Sequence, residues 1–164
     1  MNNQDNRIDT VDTRGAAGRA DRERVIGEKL KIIPLGGLER IGMNITAFEY
    51  GDSIVVVDCG MAFPEDDMLG IDFVLPDTTY LEENYSKVKG FVITHGHEDH
   101  IGGIPYVFRK INVPVYTTQL TMALIENKLE EHNMLQTVPR KVVQFGDTID
   151  FGEIQVEFIK TNHS

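Results

Sequence analysis

A chain of 164 residues, 41% of them apolar and 26% charged, has the length for one domain with a sizeable core and an ordinary globular composition. A formal net charge of −10 excludes coating by nucleic acid through bulk electrostatics, so contact with RNA or DNA would need metal ions, a local basic groove or further segments. No apolar run reaches bilayer length, no apolar h-region marks a secretory signal, and the lone cysteine, Cys59, excludes an intramolecular disulfide; the expectation is a cytoplasmic protein without membrane contact.

Residues 1–27 are polar and poor in large side chains. They cannot bury enough surface to offset the entropy of ordering, so a disordered tail is expected there. Its arginines, Arg14, Arg19, Arg22 and Arg24, are read as solvated rather than as contacts to RNA phosphates. The folded part is expected over 28–164.

Leu30 to Leu35 is a short apolar strand stopped by Gly36-Gly37. Met43 to Tyr50 alternates, turns at Gly51-Asp52-Ser53 and returns as the strand Ile54 to Asp58, which together predict a β-meander. Residues 60–77 form a long loop with two prolines and four aspartates. A short helix is predicted over 78–88, then a buried strand over 90–94, apolar on both faces. Apolar residues at 101, 104, 107, 108 and 111 have helical spacing. A strand over 113–118 precedes an amphipathic helix over 119–131, with Leu120, Ala123, Leu124 and Leu129 predicted to face inward. Strands over 141–145, 147–151 and 154–161 follow. This pattern predicts a layered α/β arrangement with helices on one sheet face.

The stretch from Thr94 to Gly103, THGHEDHIGG, carries the chemistry. Between His95 and His100 stand three histidines, a glutamate and an aspartate, directly after the buried strand. In a looping or extended backbone, i and i+2 side chains point the same way, so His95 and His97 can share one cation. Asp99 and His100, next along, can aim at a second. Imidazole nitrogen and carboxylate oxygen suit zinc. Gly96, Gly102 and Gly103 leave room for close approach, and the C-terminal end of a buried strand is where α/β sheets usually place function. Solvation of a polar loop does not explain so dense a set. Cys59 is read as a buried small hydrophobe rather than a ligand or nucleophile. His132, with no motif around it, suits a helix C-terminus.

This His-x-His-x-Asp-His stretch resembles the metallo-β-lactamase superfamily. Val55 to Gly60 resembles that family's first motif, which implies a supporting role for Asp58, and Thr161 to Ser164 resembles the third, which implies that His163 joins His95 and His97 on one metal. The implied fold is α/β, layered: the N-terminal half of an αββα sandwich. The stretches PLGGLERIGMN, FPEDDMLGIDFVLPD, GFVITHGHEDHIGGIPYVFRKINVPVY and NKLEEHNML are similar to the ribonuclease J family over about residues 30–164. Met43 stands where that family often has lysine.

The resemblance implies hydrolysis of RNA phosphodiesters, both 5′-to-3′ exonucleolytic and endonucleolytic. Two zinc ions roughly 3.5–4 Å apart would supply hydroxide near neutral pH and neutralise the phosphate, with Asp99 and His100 acting through the metal-bound hydroxide. It also implies structural calcium at Gly70 and Asp72; the alternative is an ordinary loop aspartate. Glu98 either orients a histidine from behind the metal shell or faces water. The implied partners are RNA and, in the full-length protein, a homo-oligomer (dimer or tetramer) or a paralogue complex, with no membrane. A bridging aspartate, a further histidine, a β-CASP domain and a C-terminal domain have no counterpart in these residues. The chain is therefore expected to be the N-terminal part of a longer nuclease, weakly active alone. Two other classes remain: a hydrolase of a small thioester or lactone, and a non-catalytic subunit of a nuclease complex.

Overall fold

The computed structural model describes residues 29–163; the expected N-terminal tail lies outside them. Six strands form one sheet: β1 (Lys31–Gly36), β2 (Ile45–Tyr50), β3 (Ser53–Val57), β4 (Val88–Val92), β5 (Val115–Thr118) and β6 (Arg140–Val143), in that order across the sheet. The first three pair antiparallel, as a meander does, and β3 to β6 pair parallel. Pro34, which has no N–H to give, is tolerated because β1 is an edge strand. Parallel strands require crossovers, and these carry the helices: α1 (Thr79–Glu83), α2 (Glu98–Ile101), α3 (Ile104–Val107) and α4 (Gln119–Glu131).

Both sheet faces are covered, which explains the unbroken apolar runs. On one face Ile45, Ala47, Ile54, Val56, Phe91 and Ile93 meet Leu81, Ile101, Ile104, Phe108, Met122, Ile125 and Leu129. On the other, Val55 and Val92 meet Phe151 with Ile149, Ile154, Val156 and Phe158. These last residues belong to or flank an antiparallel hairpin, β7 (Thr148–Asp150) and β8 (Gln155–Glu157). The layer order is therefore helix, six-stranded sheet, hairpin, a mixed α/β fold of the expected class. The loop after β3 is closed by one bridge, Ala62 to Val74.

Two expectations are corrected. The helical stretch beginning at His100 is split at Gly102-Gly103 into α2 and α3. The carbonyls of Asp99 and His100 accept from Asn44 N (2.9 Å) and Cys59 N (2.8 Å), while Gly103 N donates to Cys59 O at 2.9 Å. The chain entering β2 and the chain leaving β3 thus take the bonds that would have continued the helix. Its apolar positions, Ile101, Ile104, Val107, Phe108 and Ile111, are all buried as the spacing predicts. Helix α4 has the predicted bounds but a different phase. Met122, Ile125 and Leu129 enter the core, whereas Leu120 and Leu124 are 76% and 43% exposed and Ala123 faces solvent. Both stripes have helical spacing; the longer one, Met122-Ile125-Leu129, reaches the sheet.

Candidate metal centre

The centre lies at the C-terminal ends of β3 and β4. Asp58 follows β3 with a left-handed backbone (φ 62°) and is buried. Its N–H still donates to Val92 O at 2.9 Å, so it closes the β3–β4 ladder while its side chain turns toward the site. The carboxylate accepts from Thr94 N (2.8 Å), from the Thr94 hydroxyl (2.9 Å) and from His100 Nδ1 (2.7 Å). Holding the Nδ1 proton leaves His100 Nε2 as a lone pair. Thr94 Oγ1, its own proton given to Asp58, accepts from His95 Nδ1 at 3.0 Å, which leaves a lone pair on His95 Nε2.

That Nε2 lies 3.2 Å from His97 Nδ1 and 3.0 Å from His163 Nε2. One ligand atom from each of the three histidines falls within 4.8 Å of the others, the one such His/Cys/Asp/Glu group among the described residues. Three nitrogens at zinc's bond length in tetrahedral array stand roughly 3.4 Å apart, so the donor set fits such an ion. Burial, then repulsion from His100, His163 and His97, pushes the His95 pKa down; the neutral ring it favours is the form that binds a cation.

Beside this group, the rings of His95 and His100 are 4.0 Å apart. His100 Nε2 is 3.3 Å from Asp99 Oδ2. Burial opposes the charged form of His100, but the Asp58 hydrogen bond and the charges of Asp58 and Asp99 outweigh it and raise the pKa. His95, His97, Asp99, His100, His163 and Asp58 are thus brought together.

Glu98 is not directed at a histidine: its carboxylate pairs with Lys128 Nζ of α4 at 2.7 and 2.8 Å. It opens α2, and the lysine anchors α4 to the motif. Gly70 and Asp72 lie exposed in the loop after β3, and no metal-binding group of carboxylates surrounds them among the described residues. Cys59 is fully buried, and burial followed by the charge of Asp58 pushes its thiol pKa up. His132 caps α4 and stacks edge-on against Tyr106.

Three residues of the centre and its surroundings are not singled out by the sequence. Thr94 adjoins His95, which is its only signal. Lys128 shows only as one basic residue in an amphipathic helix. Asn44 donates its Nδ2 to Asp99 Oδ2 (2.9 Å) and lies 3.2 Å from His100 Nε2; its signal is a polar amide entering an apolar strand behind a glycine-rich loop.

The metallo-beta-lactamase superfamily model matches residues 40–163. The chain is 52% identical over 144 residues to a Synechocystis protein named ribonuclease J, a match covering 84% of this chain and 22% of that protein. It is 47% identical to ribonuclease J 1 of Streptococcus pyogenes, covering 81% and 24%, and 42% identical to ribonuclease J2 of Bacillus subtilis, covering 84% and 25%. The chain spans about a quarter of the length of these relatives. Among solved structures, a protein of unknown function from Enterococcus faecalis aligns with a TM-score of 0.54 at 20% identity, covering 79% of this chain and 37% of that one. Rubredoxin oxygen:oxidoreductase from Desulfovibrio gigas aligns at 0.52 and 21%, covering 84% and 34%. These two likenesses speak to the fold alone. With the family motif, the layered sheet and the family model all in agreement, the chain belongs to the metallo-β-lactamase superfamily.

Proposed function

We propose that this chain supplies the metal-binding core of a zinc-dependent ribonuclease that hydrolyses RNA phosphodiester bonds, both 5′-to-3′ exonucleolytically and endonucleolytically. The observation that carries the reading is the convergence of His95, His97 and His163 beside Asp99 and His100. Similarity over most of the chain to proteins named ribonuclease J supports the choice of substrate. In this reading the three histidines hold one zinc, and Asp99 and His100 contribute to a second. When bound, such cations lower the pKa of water and neutralise charge on phosphate, which an acidic chain needs in order to accept RNA.

The chain's own groups set this up. Asp58 accepts from His100 Nδ1 and Thr94 from His95 Nδ1, so in the neutral form of each ring Nε2 is the nitrogen left for a cation. His97 and His163 are exposed, and the side of the cluster they form is the side from which a phosphate approaches. Leu120 and Leu124 of α4 form one wall of that groove. Structural calcium at Gly70 and Asp72 is no part of this reading. A cytoplasmic location and a homo-oligomeric or paralogue assembly belong to it.

Metal analysis of the full-length protein tests it. Zinc is expected to be lost in the His95→Ala, His97→Ala double variant, together with nucleotide release from 5′-monophosphorylated RNA. Unchanged metal content in that variant would sink the assignment.

A further inference from the structure

Leu120 of α4 borders two hollows at once. One, of about 310 Å³, is the groove at His95, His97 and His163. The other, of about 590 Å³, lies between the start of α4 and the end of β6 and is lined also by Thr118, Gln119, Val143, Gln144 and Phe145. Both volumes fall in the range of about 300–1,000 Å³ that holds small organic ligands. Joined at Leu120, they form one trough that begins at the metal ligands and reaches Phe145.

Single exposed apolar side chains are ordinary on a protein surface. Phe145, 59% exposed, is not isolated: Leu120, 76% exposed, lines the same hollow. The turn that carries the ring is also built. Phe145 is the second residue of the turn 144–147, and Gly146 takes the third position with φ 93°, as a type II turn requires. Asp147 N donates to Gln144 O (3.1 Å), Gln144 N to the Asp147 carboxylate (2.8 Å) and Gly146 N to Phe158 O (2.7 Å). The backbone under the ring is therefore ordered before any ligand arrives, which lowers the cost of binding. Charge favours the same place. In a chain of net charge −10, RNA needs a path free of carboxylates. No acidic residue lines the trough, whereas the hollow beside Phe63 is lined by Glu39 and Glu65 and the one beside Lys31 by Glu49.

We propose that this trough is a subsite for single-stranded RNA, in which Phe145 stacks an unpaired base close to the phosphate at the metal centre. The inference rests on the ribonuclease reading above and names a binding residue for it. Every base has a π-face, so an aromatic platform adds affinity with little sequence preference. The neutral amides of Gln119 and Gln144 can donate to and accept from base edges.

Fluorescence anisotropy of a labelled, phosphorothioate-linked single-stranded RNA, which resists hydrolysis, tests this role in the full-length protein. Phe145→Ala is expected to weaken binding about 5- to 150-fold, the range for one base stacked on an aromatic ring, with zinc content unchanged. Phe145→Trp is expected to retain the affinity, and Phe145→Leu, apolar but without a ring, to lose most of it. In a series of oligonucleotides each lacking one base, one position is expected to weaken the wild-type protein and leave Phe145→Ala unaffected. Equal RNA affinity in Phe145→Ala and wild type, or a loss in the variant that no abasic position removes, would overturn the subsite while leaving the ribonuclease reading in place. So would a change of oligomeric state in Phe145→Ala with RNA affinity intact, which would make the trough a contact between copies. A wild-type protein that binds no single-stranded RNA would overturn both.

Discussion

Asp58 shows how one residue can organise a centre without joining the donor group. It is buried, left-handed, and spends both carboxylate oxygens on Thr94 and His100. Left-handed backbone at a non-glycine residue costs roughly 1–2 kcal/mol, and aspartate is among the residues that tolerate it best. Removing its carboxylate frees the His100 ring and leaves Thr94 Oγ1 without its acceptor, but it does not touch the three-imidazole group directly. Asp58→Ala is therefore expected to lower activity about 10- to 100-fold while the chain retains part of its metal. Steady-state rates alongside metal content decide the matter; a fully active variant refutes the role.

At the scale of elements, α4 does two jobs with two stripes. Met122, Ile125 and Leu129 pack on the sheet. Leu120 and Leu124 border the histidines, with Leu124 in the space a Cβ on Gly96 would need. Lys128 ties the same helix to α2 through Glu98. The stripes are expected to separate stability from function. Ile125→Ala opens a cavity in the core and should cost about 2–5 kcal/mol. Leu124→Ala removes a side chain that is already 43% exposed and should cost under about 1 kcal/mol. Urea denaturation of the two variants measures the difference. Equal losses would mean that α4 does not turn Ile125 inward and Leu124 outward.

Over the whole molecule, the end of the sheet remote from the metal centre carries its own polar device. Glu49 occupies the core-facing phase of β2, after Ile45 and Ala47, and is buried. Tyr80 of α1 donates its hydroxyl to this carboxylate, and Lys31 of β1 and Lys87 approach it at 3.1 and 3.3 Å. The Tyr80 hydrogen bond, opposed by burial and helped by the two lysines, lowers the Glu49 pKa from 4.5. A carboxyl whose folded pKa lies below its unfolded one contributes stability that is present above the unfolded value and lost as pH falls through the folded one. Unfolding free energy should therefore drop below about pH 4.5, and Glu49→Gln should flatten that part of the profile. An unaltered acid limb in the variant would show that the cluster contributes nothing to the pH dependence.

Local chemistry made much of this molecule legible in its sequence. Alternation in β2, a doubly buried run in β4 and the composition of α4 located those elements, because each signal lies within a few residues of itself. The His-x-His-x-Asp-His stretch announced ligand chemistry for the same reason: donor types, spacing and flanking glycines are all adjacent. What the tertiary structure decided depends on segments far apart in the chain. The side of α4 that meets the sheet, the turn of Glu98 toward Lys128 and the break between α2 and α3 all follow from contacts spanning tens of residues. Asn44 is the clearest case. No local pattern sets an amide apart as a partner of Asp99 and His100, more than fifty positions away. That pairing exists only because β2 and the metal-ligand loop pack side by side, and hydrogen-bond partners are chosen by distance in space, which sequence spacing does not encode.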